Sequence, residues 1–198
     1  MTVATTKLSI AEYLAYDDGS GQRFELVDGE IVKMALGTGE HSDISDALTD
    51  AFRTEIKRIE APWVAKTMSI AVQSPRGTRW ETARIPDVVV LEREQWQSMA
   101  HREAFISLNE AIPLLVVEVV SPSTIDIDYR TKHAEYAVLD IPEYWIVDPI
   151  AAKVTVCTLD AGAYRNREFV GEDTIVSLTF PELHFTARQI LQAESPML

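Results

Sequence analysis

The sequence predicts an α/β domain, and three features carry that expectation. Two short runs, Ile85-Pro86-Asp87-Val88-Val89-Val90-Leu91 and Pro113-Leu114-Leu115-Val116-Val117-Glu118-Val119-Val120, are largely apolar without alternation, as strands covered on both faces of a sheet are. Two segments, 41–59 and 128–139, are read as helices and supply the covers. The simplest assembly is a mixed central sheet flanked by helices, with N-terminal and C-terminal β-hairpin extensions. At 198 residues a single domain is expected over the whole chain, burying roughly 70% of the surface its unfolded form exposes.

Each element has a local reason. Ser9 and Glu12 have the spacing of a capping box, opening a short helix with Ile10, Tyr13 and Leu14 on its apolar side. The stretch 24–32 reads as two strands around Asp28-Gly29, a pair suited to a turn that needs positive φ at both central positions. From His41 to Ile59 the residues Ile44, Leu48, Phe52, Ile56 and Ile59 form one stripe, with Asp43, Asp46, Asp50, Arg53 and Lys57 largely outside it. Residues 63–72 are expected to form one strand, 74–80 a polar loop and 87–91 a second strand, while 92–112 shows no clear period. The apolar strand ending at Val120 runs into Ser121-Pro122-Ser123-Thr124, where proline and hydroxyls favour a loop. A helix over about 128–139, strands at 144–147 and 154–158, and a last helix at 186–192 complete the chain.

Composition narrows the function classes. With 46% hydrophobic and 25% charged residues the chain is ordinary globular material. No run approaches the ~20 apolar residues of a membrane span, and the first residues lack a signal-peptide layout, so no membrane and a cytoplasmic location are expected. Cys157 is the one cysteine, which excludes internal disulfides and cysteine-rich zinc sites. A net charge of −13 repels phosphate at long range. Half of the 18 Lys and Arg nevertheless fall between residues 53 and 102. They could form a phosphate-facing stripe or an ordinary solvated face.

The chemistry starts from a misplaced charge. A lone ionised carboxylate inside an apolar run costs several kcal/mol unless a cation or donors meet it, and Glu118 and Asp87 both stand in that position. Hard divalent cations take one or two carboxylates plus waters and lower the pKa of a bound water. Asp87 and Glu118 suit that role, and Lys132 is the candidate ammonium, with Arg130 behind it. Glu25 and His41 are auxiliary candidates, and Gln73 could hydrogen-bond a metal water. Asp126 and Asp128 read as residues that start a helix, and Trp145 as a core or interface aromatic.

Pro86-Asp87 followed by Glu118 in a later strand resembles the PD-(D/E)xK nuclease signature. More specifically, Leu115–Thr124, then Lys132, Tyr136 and Pro142-Glu143-Tyr144-Trp145-Ile146-Val147-Asp148-Pro149, is similar to the Uma-two family of that superfamily; Phe24-Glu25-Leu26-Val27-Asp28-Gly29-Glu30 and His41 match its early motifs. The resemblance covers about residues 8–192. It implies a restriction-endonuclease-like fold, Mg²⁺ or Mn²⁺ held by Asp87 and Glu118, and hydrolysis of DNA. It also exposes a departure: two residues after the second acid, where the general signature has lysine, stands Val120. Lys132 is the position the resemblance offers for a migrated lysine. Val120 and the net charge favour an alternative, a nuclease fold kept as a non-catalytic binding or regulatory module. A homodimer is expected, with Trp145 and the late hairpin as interface material.

Overall fold

The computed structural model describes residues 7–76 and 79–194. Helix α1 (Ile10–Leu14) starts behind Ser9 with both bonds of the capping box. Strands β1 (Phe24–Val27) and β2 (Glu30–Lys33) pair antiparallel across Asp28 and Gly29, whose φ angles are 52° and 80°. Helix α2 (Gly39–Arg58) follows, its N-terminus capped by the Thr38 side chain, which accepts from the His41 N–H.

The middle of the chain departs from expectation. Residues 63–72 are two strands, β3 (Trp63–Thr67) and β4 (Ala71–Arg76), lying in different sheets. The break is Met68, at φ 42°, whose N–H donates to the Asp87 carbonyl while the chain turns away. The expected polar loop is a hairpin, β4 with β5 (Arg79–Arg84), whose residues 77–78 lie outside the described ones. Strand β6 (Val88–Glu92) comes next, and the stretch without a period holds helix α3 (Arg93–Ser98) and the short β7 (Phe105–Ile106). Strand β8 (Leu115–Val119) leads to a π-helical turn, Ile127–Lys132, running into α4 (His133–Val138). Strands β9 (Glu143–Asp148), β10 (Lys153–Asp160) and β11 (Ala163–Val170) and helix α5 (Ala187–Leu191) finish the fold.

Two mixed sheets result, where a single sheet with hairpin extensions was expected. One has six strands in the order β11-β10-β9-β8-β6-β3, and the other has five in the order β2-β1-β5-β4-β7. The C-terminal hairpin β10–β11 does extend the six-stranded sheet, whereas the N-terminal hairpin belongs to the other.

The central strands β6, β8 and β9 of the six-stranded sheet are buried on both faces, as their unbroken apolar runs require. On one face, Ile44, Leu48, Phe52 and Ile56 of α2 pack with Val88, Val90, Val117 and Trp145. On the other, Val116, Tyr144 and Ile146 meet Tyr136 of α4, and Val89 and Leu91 meet Val72 of the second sheet. The helices at 41–59 and 128–139 therefore cover opposite faces, as expected. Among the described residues no helix is long and apolar enough to cross a membrane.

Candidate active site

Strand register brings the two acids together. In the antiparallel pair β6–β8, Val88 lies opposite Val117 and Val89 opposite Val116, so one step further Asp87 falls opposite Glu118. Directly opposed residues project from the same face, with Cβ atoms about 4.5–5.5 Å apart. Asp87 lies just beyond the paired part of β6, and its Oδ2 accepts from the Val119 N–H at 2.6 Å. The same oxygen is 3.2 Å from Nε2 of His41, in the first turn of α2. That contact holds the His41 imidazole above its usual pKa, against the opposing effect of burial. Gly37 permits this placement, since a Cβ there would come within 3.0 Å of His41 Nδ1.

Glu118 is 2% exposed. Its Oε2 accepts from Lys132 Nζ at 2.7 Å and its Oε1 from the Tyr136 hydroxyl at 2.7 Å. The π-helical turn presents Lys132 and Asp128 together, their side chains 3.1 Å apart as an ion pair, and the Tyr144 hydroxyl donates to the Asp128 carbonyl at 3.0 Å. Such turns inside helices frequently mark functional positions. Asp128 Oδ1, the oxygen that Lys132 Nζ approaches at 3.1 Å, is buried, and among the described residues the ion pair is its one polar contact, without hydrogen-bond alignment. Burial raises the Glu118 carboxyl well above the usual carboxylate range, and the charges of Asp87 and Asp128 push the same way against the Lys132 ammonium. Burial also raises Asp128. For Lys132, burial disfavours the ammonium, but Glu118, Glu25, Asp128 and Asp87 outweigh it and keep the side chain charged.

Beside this cluster lies a second buried network that the sequence reading missed. Arg84 at the end of β5 donates from Nε and Nη2 to Glu135 of α4 at 2.7 and 3.0 Å, and from Nη1 to Glu25 of β1 at 2.9 Å. The Ile85 N–H donates to the other Glu25 oxygen at 3.0 Å, and Ser74 Oγ to Glu135 at 3.3 Å. Glu25 is therefore near the site, through its effect on Lys132, but its own oxygens are matched by Arg84 and Ile85.

The two networks together carry an imbalance. Five buried acids, Glu25, Asp87, Glu118, Asp128 and Glu135, face two permanent buried cations, Arg84 and Lys132. With every acid ionised and His41 protonated, each network keeps one negative charge, Glu25 and Glu135 against Arg84, and Asp87, Glu118 and Asp128 against Lys132 and His41, while burial favours the neutral forms of Glu118 and Asp128. Among the described residues no three His, Cys, Asp or Glu side chains are arranged to ligate a metal by themselves. Two cross-strand carboxylates completed by water are what Mg²⁺ commonly takes.

Asp87, Glu118, Lys132 and His41 are thus gathered at one place, and Glu25 lies beside it. Gln73 is elsewhere: its amide donates to the Trp80 carbonyl and its oxygen accepts from the Leu108 N–H. Asp128 is part of the cluster in addition to sitting near a helix start. Trp145 is fully buried against Phe52, with its indole donating to Glu143 at 2.7 Å, so it is core and no interface residue.

A family model described as "Uma2: Putative restriction endonuclease" matches residues 10–188. The chain belongs to this family. The Uma2 match spans both sheets and every residue of the cluster. A relative, the "Uncharacterized protein sll1609" of Synechocystis sp. (strain ATCC 27184 / PCC 6803 / Kazusa), is 26% identical over 156 residues, covering 78% of this chain and 82% of the relative. Among solved structures, "a putative nuclease belonging to DUF820" from Anabaena variabilis ATCC 29413 superposes with a TM-score of 0.74 at 15% identity, covering 94% of this chain and 98% of that one. The Uma2 chain and that structure share a fold.

Proposed function

We propose that this chain is a metal-dependent endonuclease that hydrolyses DNA phosphodiester bonds at Asp87, Glu118 and Lys132. The observation that carries this reading is the convergence of two buried cross-strand carboxylates, Asp87 and Glu118, on one buried ammonium, Lys132, in a family described as "Putative restriction endonuclease". Asp87 and Glu118 would hold Mg²⁺ or Mn²⁺, which when bound polarises a phosphoryl oxygen and acidifies water.

The chain's own residues have separate tasks. The His41 imidazole and the Val119 N–H fix the Asp87 carboxylate. Tyr136 and Lys132 hold that of Glu118. Lys132, charged and dry, would stabilise negative charge growing on the phosphate, an effect strengthened by low local polarity. It supplies from a helix the ammonium that Val120 cannot.

A second reading rests on a specific observation. Both Glu118 oxygens already have donors and the cluster is almost closed to solvent, as in a structural network kept by a non-catalytic module. One experiment decides between them. Purified protein is incubated with single- and double-stranded DNA in Mg²⁺ or Mn²⁺ beside Asp87→Ala, Glu118→Ala and Lys132→Ala. The nuclease reading expects cleavage by wild type and loss in all three variants. No cleavage by a folded wild type in either metal supports the non-catalytic module.

A further inference from the structure

The C-terminal end of α2 and the edge strand β3 line a groove of about 400 Å³. Arg53 and Lys57 of α2, Lys66 of β3 and Arg93 of α3 all line it, against one carboxylate, Glu60. In a chain with 31 acids to 18 Lys and Arg, four cations converging on one acid run against the average. Cations nearby are matched: Arg58 pairs with Glu55 and Glu182, and Arg102 with Glu110. Within the groove Arg53 pairs with Asp50, whereas Lys57, Lys66 and Arg93 form no ion pair among the described residues. Lys66 lies 4.1 Å over the Trp96 ring, and Arg93 reaches the Trp63 carbonyl at 3.4 Å. The positive charge is therefore held in place by aromatic and backbone contacts. Burial first, and then the charge of Arg53, lower the Lys66 pKa.

From this charge, shape and placement we infer that the α2–β3–α3 groove grips the phosphodiester backbone of a nucleic acid strand whose neighbouring segment reaches the acid cluster. The inference rests on the nuclease reading for the identity of the anion. The path is laid out by two elements. Helix α2 carries His41 at Asp87 and Arg53 and Lys57 at the groove, 12 to 16 residues further on, or roughly 18–24 Å at 1.5 Å per residue. Strand β3 runs from Trp63 in the groove to Thr67, opposite Val88 and next to Asp87. Phosphates of one strand repeat about every 3.4 Å along the helix axis, so Arg53 and Lys57 stand about five to seven of them from His41, and Lys66, opposite Val89, lies nearer Asp87. Contacts of this kind position a strand without reading its bases. Such a grip would let an acidic protein hold a polyanion locally while its remaining surface repels it.

The test is equilibrium binding of labelled 20-mer duplex and single-stranded DNA to the full chain, followed by anisotropy in EDTA, so that no turnover is required. Variants are Lys57→Ala, Lys66→Ala and Arg93→Ala, singly and together, with Arg165→Ala on β11 as a distant control. The expected result is weaker binding on every sequence alike. For the triple variant on duplex, the slope of log K against log salt should fall by about 0.9 for each phosphate that is no longer neutralised. Glu60→Gln should tighten binding, which a merely damaged fold does not do. Wild type that fails to bind, or a triple variant with wild-type affinity and salt slope, would overturn the groove. Cleavage assays on wild type separate the two readings: wild type that binds DNA but leaves it uncut with every metal leaves the groove standing and removes the nuclease, whereas cleavage by wild type together with an unaltered triple variant does the reverse.

Discussion

Two buried ionic networks sit side by side in this molecule, built from the same residue types and completed to different degrees. Around Arg84, all four oxygens of Glu25 and Glu135 have donors, three of them from a guanidinium whose planar fork suits carboxylates. Around Lys132, three carboxylates share one ammonium and a histidine, and the Asp128 oxygen 3.1 Å from Lys132 Nζ meets it as an ion pair without hydrogen-bond alignment. Buried charge alone does not mark a functional site, because structural networks bury charge too. What separates the two is how the acids are met: one guanidinium and two further donors match every oxygen of Glu25 and Glu135, while the Lys132 cluster gathers three acids, two of them raised by burial, around one ammonium and a histidine.

The largest effect that would sharpen this contrast is on stability. Arg84→Met leaves Glu25 and Glu135 buried without their cation, and breaking a buried pair in this way costs about 3–5 kcal/mol. Chemical denaturation of wild type and variant measures it. Glu118→Gln removes one charge from an over-acidic cluster and should cost much less in EDTA. Comparable losses for the two variants would erase the distinction.

A smaller effect is expected in the pH dependence. Glu118 has its carboxyl raised in the fold by burial and by Asp87 and Asp128. A folded value above the unfolded one means that its contribution to stability is fully present below about 4.5 and is lost as the pH climbs through the folded value. In EDTA, the melting temperature of wild type minus that of Glu118→Gln should therefore fall as the pH rises toward neutrality. A difference that stays flat or grows would show that Lys132 fully compensates Glu118.

Much of the site was legible because its signals were local. Glu118 and Asp87 interrupt apolar runs, and an interruption is visible wherever a charge stands among valines. Lys132 and Tyr136 share a helical face, but only the packed structure shows that this face, and not the one carrying Val138, meets the sheet. Arg84 and Glu135 were missed because their meaning lies in partners 51 and 59 positions away, beyond any periodicity. Asp128 reads as a helix start because nothing in the sequence signals a π-helical turn. The fold shows the same division. The two-sided strands and their covering helices were readable from pattern, whereas the split into two sheets hangs on Met68 taking positive φ, which its residue type does not announce.

The most direct test of the central claim is calorimetric titration of Mn²⁺ into metal-free wild type, Asp87→Asn, Glu118→Gln and Arg84→Met that has been shown to be folded. The account expects saturable binding of one ion per chain, lost in the first two variants and kept in the third. Absence of saturable binding to wild type, or binding by Asp87→Asn and Glu118→Gln equal to that of wild type, would contradict it.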